Sequence, residues 1–114
     1  MDDYGIDQLI DFDGEILIVS EAGPYWVKFE VKKVERSDSR PHGLVYSVTL
    51  HGPDNSRLVG FDNAHPVPPN RRGEPQDHSH IGDRVKAYRY SNAGQLLEDF
   101  WNAVDSVLRK RGST

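Results

Sequence analysis

Tyr25, Val27, Phe29 and Val31 alternate with Trp26, Lys28, Glu30 and Lys32, and the pattern returns where Leu44, Tyr46, Val48 and Leu50 alternate with Val45, Ser47, Thr49 and His51. A period of two is the repeat of a β-strand, whose successive side chains leave opposite faces. Both runs therefore require a sheet with one face packed on a core and the other wet, the usual condition of antiparallel sheets.

The rest of the chain supplies further strands and something to cover the dry face. Glu15 to Ser20 contains the β-branched run Ile16-Leu17-Ile18-Val19 and is closed by Ala22-Gly23-Pro24. Gly52-Pro53-Asp54-Asn55-Ser56 has turn chemistry and predicts a hairpin into Arg57 to Phe61. Val85 to Tyr90 reads as a last strand, Ser37 to Gly43 as a loop, and residues 4 to 11 as a short helix with Ile6, Leu9 and Ile10 on one side. Asn92 with Gln95 three positions on resembles a capping box. Beyond it, Ala93, Leu96, Leu97, Phe100, Trp101, Val104, Val107 and Leu108 fill one arc of a helical wheel. Arg109, Lys110 and Arg111 suit the negative end of that helix, and Gly112 can end it. The expectation is an α+β fold in which an antiparallel sheet of about five strands packs against an amphipathic C-terminal helix, within a single domain spanning 1–114.

Charge is uneven along the chain. The N-terminal segment 1–15 carries Asp2, Asp3, Asp7, Asp11, Asp13 and Glu15 and no basic residue; with these set aside, the 14 Lys and Arg outnumber the remaining acids. A mildly basic body is compatible with a nucleic-acid ligand but lacks a strong basic stripe. No cysteine is present, which excludes disulfides and thiolate metal sites. No apolar run reaches the roughly 20 residues of a membrane span, and the N-terminus is acidic where a signal peptide would be basic. A cytoplasmic protein without membrane association is expected. Between the strands, the Pro/Arg-rich loop 66–76 holds Pro66, Pro68, Pro69, Arg71, Arg72, Gly73 and Pro75, too poor in apolar residues for a regular element and expected to be mobile.

Histidines flank that loop. Phe61-Asp62-Asn63-Ala64-His65-Pro66 leads into it and Asp77-His78-Ser79-His80 leads out. Imidazole titrates near neutral pH and ligates metals, so this junction is the place to look for chemistry. His78 and His80, two apart on an extended segment, point to one side; with His65 and Asp62 they would suit zinc or another divalent ion. A third possibility needs no catalysis. Asp62 and Asn63 would make turn bonds, the histidines would be polar loop residues, and the domain would bind a protein partner through a sheet edge or its acidic segment.

The order Phe61-Asp62-Asn63-Ala64-His65-Pro66, then His78-Ser79-His80, then Asn92-Ala93-Gly94-Gln95-Leu96-Leu97-Glu98-Asp99-Phe100-Trp101 resembles the TumE family of bacterial toxin–antitoxin proteins, from about Asp13 to Gly112. The resemblance implies a toxin encoded beside a small helix-turn-helix antitoxin, with ribonuclease-type toxicity. Two departures stand out. Many relatives carry Asp-Asn-Ala-Pro-His-His, whereas here Ala64 precedes His65 directly, and the linking loop is longer and richer in Arg and Pro.

A metal-independent ribonuclease needs a base, an acid and cations for the developing phosphorane charge. His65 and His80 are the expected acid–base pair, with Asp62 orienting an imidazole and Asn63 bonding phosphate or backbone. Arg72, Arg84, Lys86 and Arg89 are the expected phosphate contacts, and no cofactor or metal is required. Trp26, between Lys28 and the polar face of its strand, would stack on an RNA base or pack under a loop. His42, His51 and, outside the metal reading, His78 are expected to be solvated loop or strand-end residues.

Overall fold

The computed structural model describes residues 5–20, 24–37, 40–63 and 77–111. In chain order the elements are α1 (Ile6–Asp11), β1 (Ile16–Ser20), β2 (Tyr25–Lys33), β3 (Leu44–His51), β4 (Arg57–Asp62), β5 (His78–Ile81), β6 (Arg84–Ala87) and α2 (Ala93–Lys110). The strands form one sheet in the order β1-β2-β3-β4-β5-β6, each pair antiparallel. The α+β architecture matches the expectation, with six strands instead of about five.

The additional strand arises where sequence patterning is weakest. His78 to Ile81 forms a strand of its own and turns at Gly82-Asp83 into β6, so the pairing begins at Arg84 and ends at Ala87, short of Tyr90. Gly82 has φ 58°, the left-handed conformation that tight two-residue hairpins require at their centre. A Gly-Asp pair between short runs is itself a hairpin signal, masked here by the polar side chains around it.

Alternation decides which face is dry. Tyr25, Val27, Phe29 and Val31 of β2, Leu44, Tyr46, Val48 and Leu50 of β3, and Val59 and Phe61 of β4 are buried on the side that α2 covers with Ala93, Leu96, Phe100, Val104 and Leu108. The helix begins as its capping pair predicts, with Asn92 Oδ1 accepting from Gln95 N at 2.8 Å. The Gln95 carboxamide does not reach back to complete a box; it donates one turn on, to Asp99 Oδ1 at 2.8 Å, while Tyr88 OH donates to Asp99 Oδ2 at 2.6 Å. The Tyr88 bond ties the helix to the chain just past β6. At its other end Arg111 donates to Tyr25 OH at 3.1 Å and lies over that ring, so the basic terminus helps dock the helix on β2.

α1 packs on the same side. Gly5 lies against the backbone of Gly94, where a Cβ would stand 2.7 Å from Gly94 N, so only glycine lets the two helix starts meet. Phe12 stacks on Phe29 at 4.7 Å, and Asp13 accepts from Val31 N and Lys32 Nζ, both at 2.8 Å, fastening the N-terminal segment across β2. Among the described residues no helix is long and apolar enough to cross a membrane.

Phe100 is the pin of the core: fully buried, it meets Phe29 edge-on at 6.1 Å and Phe61 at 6.1 Å. Phe100→Ala is expected to cost roughly 3 to 5 kcal/mol, the range for truncating a buried aromatic, as read from the midpoint of urea unfolding.

Candidate functional site

The face turned away from α2 carries the side chains left over by the alternation. Register places Lys28, Thr49, Gly60, His80 and Val85 in one row across the sheet, and Glu30, Ser47, Asp62, His78 and Ala87 in the next. Asp62 therefore sits directly opposite His78 and diagonal to His80. Period two brings all three to one side of two adjacent strands, a more rigid placement than any loop offers.

Their geometry is tight. Asp62 Oδ1 is 3.1 Å from His78 Nε2 and Asp62 Oδ2 is 3.4 Å from His80 Nε2, while the two rings meet edge to face at 4.8 Å. Asp62 and His78 are buried, only 4% and 5% exposed, although they lie on the face opposite the core. Asp62 Oδ1 accepts no hydrogen bond; His78 Nε2 is near it but off the bonding direction. Burial pushes His80 below the ordinary histidine value of 6.5, the charge of Arg57 adds to this, and Asp62 opposes it.

Arg57 was not among the expected cations, yet it is the one the fold brings to this centre. Gly60, directly across from His80, leaves room for the Arg57 side chain to lie over it, and a Cβ there would stand 3.2 Å from Arg57 Cδ. Arg84 and Lys86 pair with Ile81 and Ser79, so alternation turns them to the side opposite His78 and His80, and Arg89 lies beyond the end of β6. Spacing gives no clue to Arg57, which shares the parity of the core residues Val59 and Phe61; the register shift opposite Leu50 and His51 intervenes before Val59. A hollow of about 300 Å³, lined by Asp13, Glu30, Lys32, Val45, Tyr46 and Ser47, adjoins Asp62 through Ser47 on the same face.

Of the two tasks expected for Asn63, bonding phosphate or backbone, the structure shows the backbone one. Fully buried, it accepts from Tyr46 N at 2.9 Å and donates to Leu44 O at 2.8 Å, spending both ends of its carboxamide on the β3 backbone. It thereby fixes the end of β4 beside Asp62. His65 and Arg72 lie outside the described residues, as does the whole of the 66–76 loop.

Two histidines expected to be solvated are engaged. His42 Nε2 is 2.8 Å from Asp77 Oδ1, Tyr46 OH donates to Asp77 Oδ2 at 2.6 Å, and the His42 ring stacks on Tyr90 at 3.8 Å. Burial and then the Asp77 carboxylate raise the Tyr46 phenol far above its ordinary value, so it remains a donor. This network clamps the residue immediately before His78. The Asp77 side chain is 1% exposed, so Asp77→Ala is expected to cost roughly 3 to 5 kcal/mol, because two hydrogen bonds to a buried carboxylate are lost together and the Tyr46 hydroxyl is left without its acceptor. His42→Ala should cost about 1 to 3 kcal/mol in the same unfolding measurement, where a solvated histidine would cost almost nothing.

His51 stacks on Trp26 at 4.1 Å and 12°, with Nε2 2.9 Å from Thr49 Oγ1. Trp26, expected either to stack on an RNA base or to pack within the protein, is half-buried and already carries a ring partner. Burial, the largest influence, lowers the His51 pKa from 6.5. The unfolded chain thus takes up this proton more readily than the folded one, so the contribution is complete above about pH 6.5 and is lost as pH falls through the lower folded value. Melting temperature should fall on acidification from pH 7 to 5, with a shallower slope in His51→Gln.

The chain finds no match among curated proteins and none among solved structures. A family profile described as Toxin TumE matches residues 15–108, from the start of the sheet to the last turn of α2 and across every residue of the centre. With its strand order, its buried carboxylate and its paired imidazoles inside that match, the chain belongs to the TumE toxin family.

Proposed function

We propose that this toxin acts in the cytoplasm by cutting RNA at the Asp62, His78 and His80 centre, and that a small helix-turn-helix antitoxin encoded beside it neutralises it. The observation that carries this reading is the convergence of two imidazoles on one buried carboxylate, on the sheet face not used for the core. A toxin family implies an antitoxin; the helix-turn-helix type comes from the resemblance.

Cleavage within RNA forms a bond from the ribose 2'-oxygen to phosphorus and breaks the bond to the 5'-oxygen. The 2'-hydroxyl gives up a proton, the 5'-oxygen gains one, and the phosphoryl oxygens accumulate charge between the two events. Asp62 and the imidazoles supply proton-handling or ligating groups, and Arg57 supplies a cation on the same face, the role expected from sequence for Arg84 and Lys86. The hollow beside Ser47 has room for a group the size of a nucleotide base. In an in-line displacement, base and acid stand on opposite sides of phosphorus. His78 and His80 both face one carboxylate and so serve a single side, and a partner such as His65 would be required on the other.

Expression without a partner should arrest growth, and co-expression of the neighbouring protein should relieve it. Purified protein should fragment cellular RNA. Asp62→Asn and His80→Ala should each lower cleavage by at least about 100-fold, the size of effect for a lost acid–base group, while circular dichroism shows an unchanged fold. Growth arrest with intact RNA would remove the nuclease reading and leave the toxin; folded His80→Ala protein that remains fully toxic would remove this centre.

A further inference from the structure

The geometry points to a binding site for one divalent transition-metal ion of the zinc class, held by Asp62, His78 and His80 with its remaining positions open. Among the described residues this is a set whose ligand atoms lie within 4.8 Å of one another. The inference rests on the centre proposed above for RNA cleavage and adds the ion that centre would use.

Three observations carry it. The first is spacing. With metal–nitrogen and metal–oxygen bonds of about 2.0 to 2.2 Å, two ligands of one ion stand about 2.9 Å apart at right angles and about 3.4 Å apart in a tetrahedron. The nitrogen-to-oxygen separations here are 3.1 and 3.4 Å. They run to different oxygens of Asp62, and the three ligand atoms lie within 4.8 Å of one another, so a cation is ligated once the two imidazoles turn inward on it.

The second is the state of the carboxylate. Asp62 is 4% exposed, and its Oδ1 is buried with no hydrogen-bond donor. A buried acceptor is nearly always satisfied, and one left without a donor calls for water or an ion. Asn63, the next residue, is by contrast fully satisfied by the β3 backbone, so the deficit is confined to the atom that faces the imidazoles.

The third is the ligand chemistry. Two imidazoles and one carboxylate favour zinc, iron or manganese over calcium or magnesium, which prefer all-oxygen shells. Three protein ligands leave at least one position for water or substrate, the arrangement of catalytic rather than structural sites. With both imidazoles neutral, Asp62 and a divalent ion together carry a net positive charge. Arg57, over Gly60, adds another. That combination disfavours a second cation and favours an anionic ligand in the open position, as a phosphodiester oxygen would be.

The test uses the full chain, stripped with a chelator and dialysed. Titration with zinc should show one equivalent bound and a rise in melting temperature, because a ligand of the folded state stabilises it. Cobalt in place of zinc should give visible bands whose intensity reports four- or five-coordination. His80→Gln, His78→Gln and Asp62→Asn should each abolish the stoichiometric equivalent, while His51→Gln should retain it. Absence of zinc, manganese and iron binding in folded wild-type protein would overturn the proposal, as would an equivalent that survives all three ligand substitutions. RNA cleavage that persists in excess chelator would count against the ion but not against the nuclease; a bound ion with no cleavage would support the site and remove the nuclease reading.

Discussion

Everything at the centre depends on the register of β4 between β3 and β5. This strand is buried on both faces from Val59 onward: Val59 and Phe61 enter the core, and Gly60 and Asp62 face the other way. A slip of one residue would exchange the two sets, driving the Asp62 carboxylate among Phe29 and Phe100 and turning Phe61 out beside the histidines. Neither half of that exchange is tolerable, because burying an unpaired carboxylate among apolar groups and exposing a large ring both carry heavy penalties. Core packing thus specifies the position of Asp62 independently of the role proposed for its carboxylate.

Two clamps reinforce that register, and both sit at the ends of the same interruption in the chain. Asn63 stitches the end of β4 to β3 through two backbone bonds, and Asp77 holds the start of β5 through Tyr46 and His42. Tyr46 N and Tyr46 OH serve the two clamps in turn, so a single residue of β3 locates both strands that carry the centre. Asp62 and Asp77 are both buried carboxylates, but their surroundings divide the labour. Asp77 has a donor on each oxygen and belongs to the scaffold; Asp62 has an oxygen without one and is the carboxylate on which the proposed centre rests.

How much of this was legible in the sequence follows from the strength of each local signal. The alternations of β2 and β3 and the arc of α2 were plain, because long apolar periods are decided by burial against one core. His78 and His80 were correctly placed on one side of an extended segment with Asp62, since period two needs no more than sequence spacing. The β5–β6 hairpin was not legible, because its strands are four residues each and one is exposed along its whole length. Misplacing β6 also hid the facing of Arg84 and Lys86, which depends on register and not on proximity along the chain. His42 and His51 looked like solvent-facing residues because their partners, Asp77 and Trp26, are distant in sequence. Arg57 was missed for a related reason: only an absent side chain at Gly60 lets it reach the centre.

The clamps also mean that the segment between Asn63 and Asp77 can change in length while the groups on β4 and β5 keep their arrangement. The closure entropy of a connection rises only with the logarithm of its length, about 0.6 kcal/mol for each doubling. Lengthening the Pro- and Arg-rich segment therefore costs little, provided that its two ends are held independently. Asn63 and Asp77 hold them with bonds that do not involve the segment itself. Asp62, His78 and His80 lie outside that stretch, on strands whose spacing the sheet dictates, so a change in its length leaves their arrangement in place.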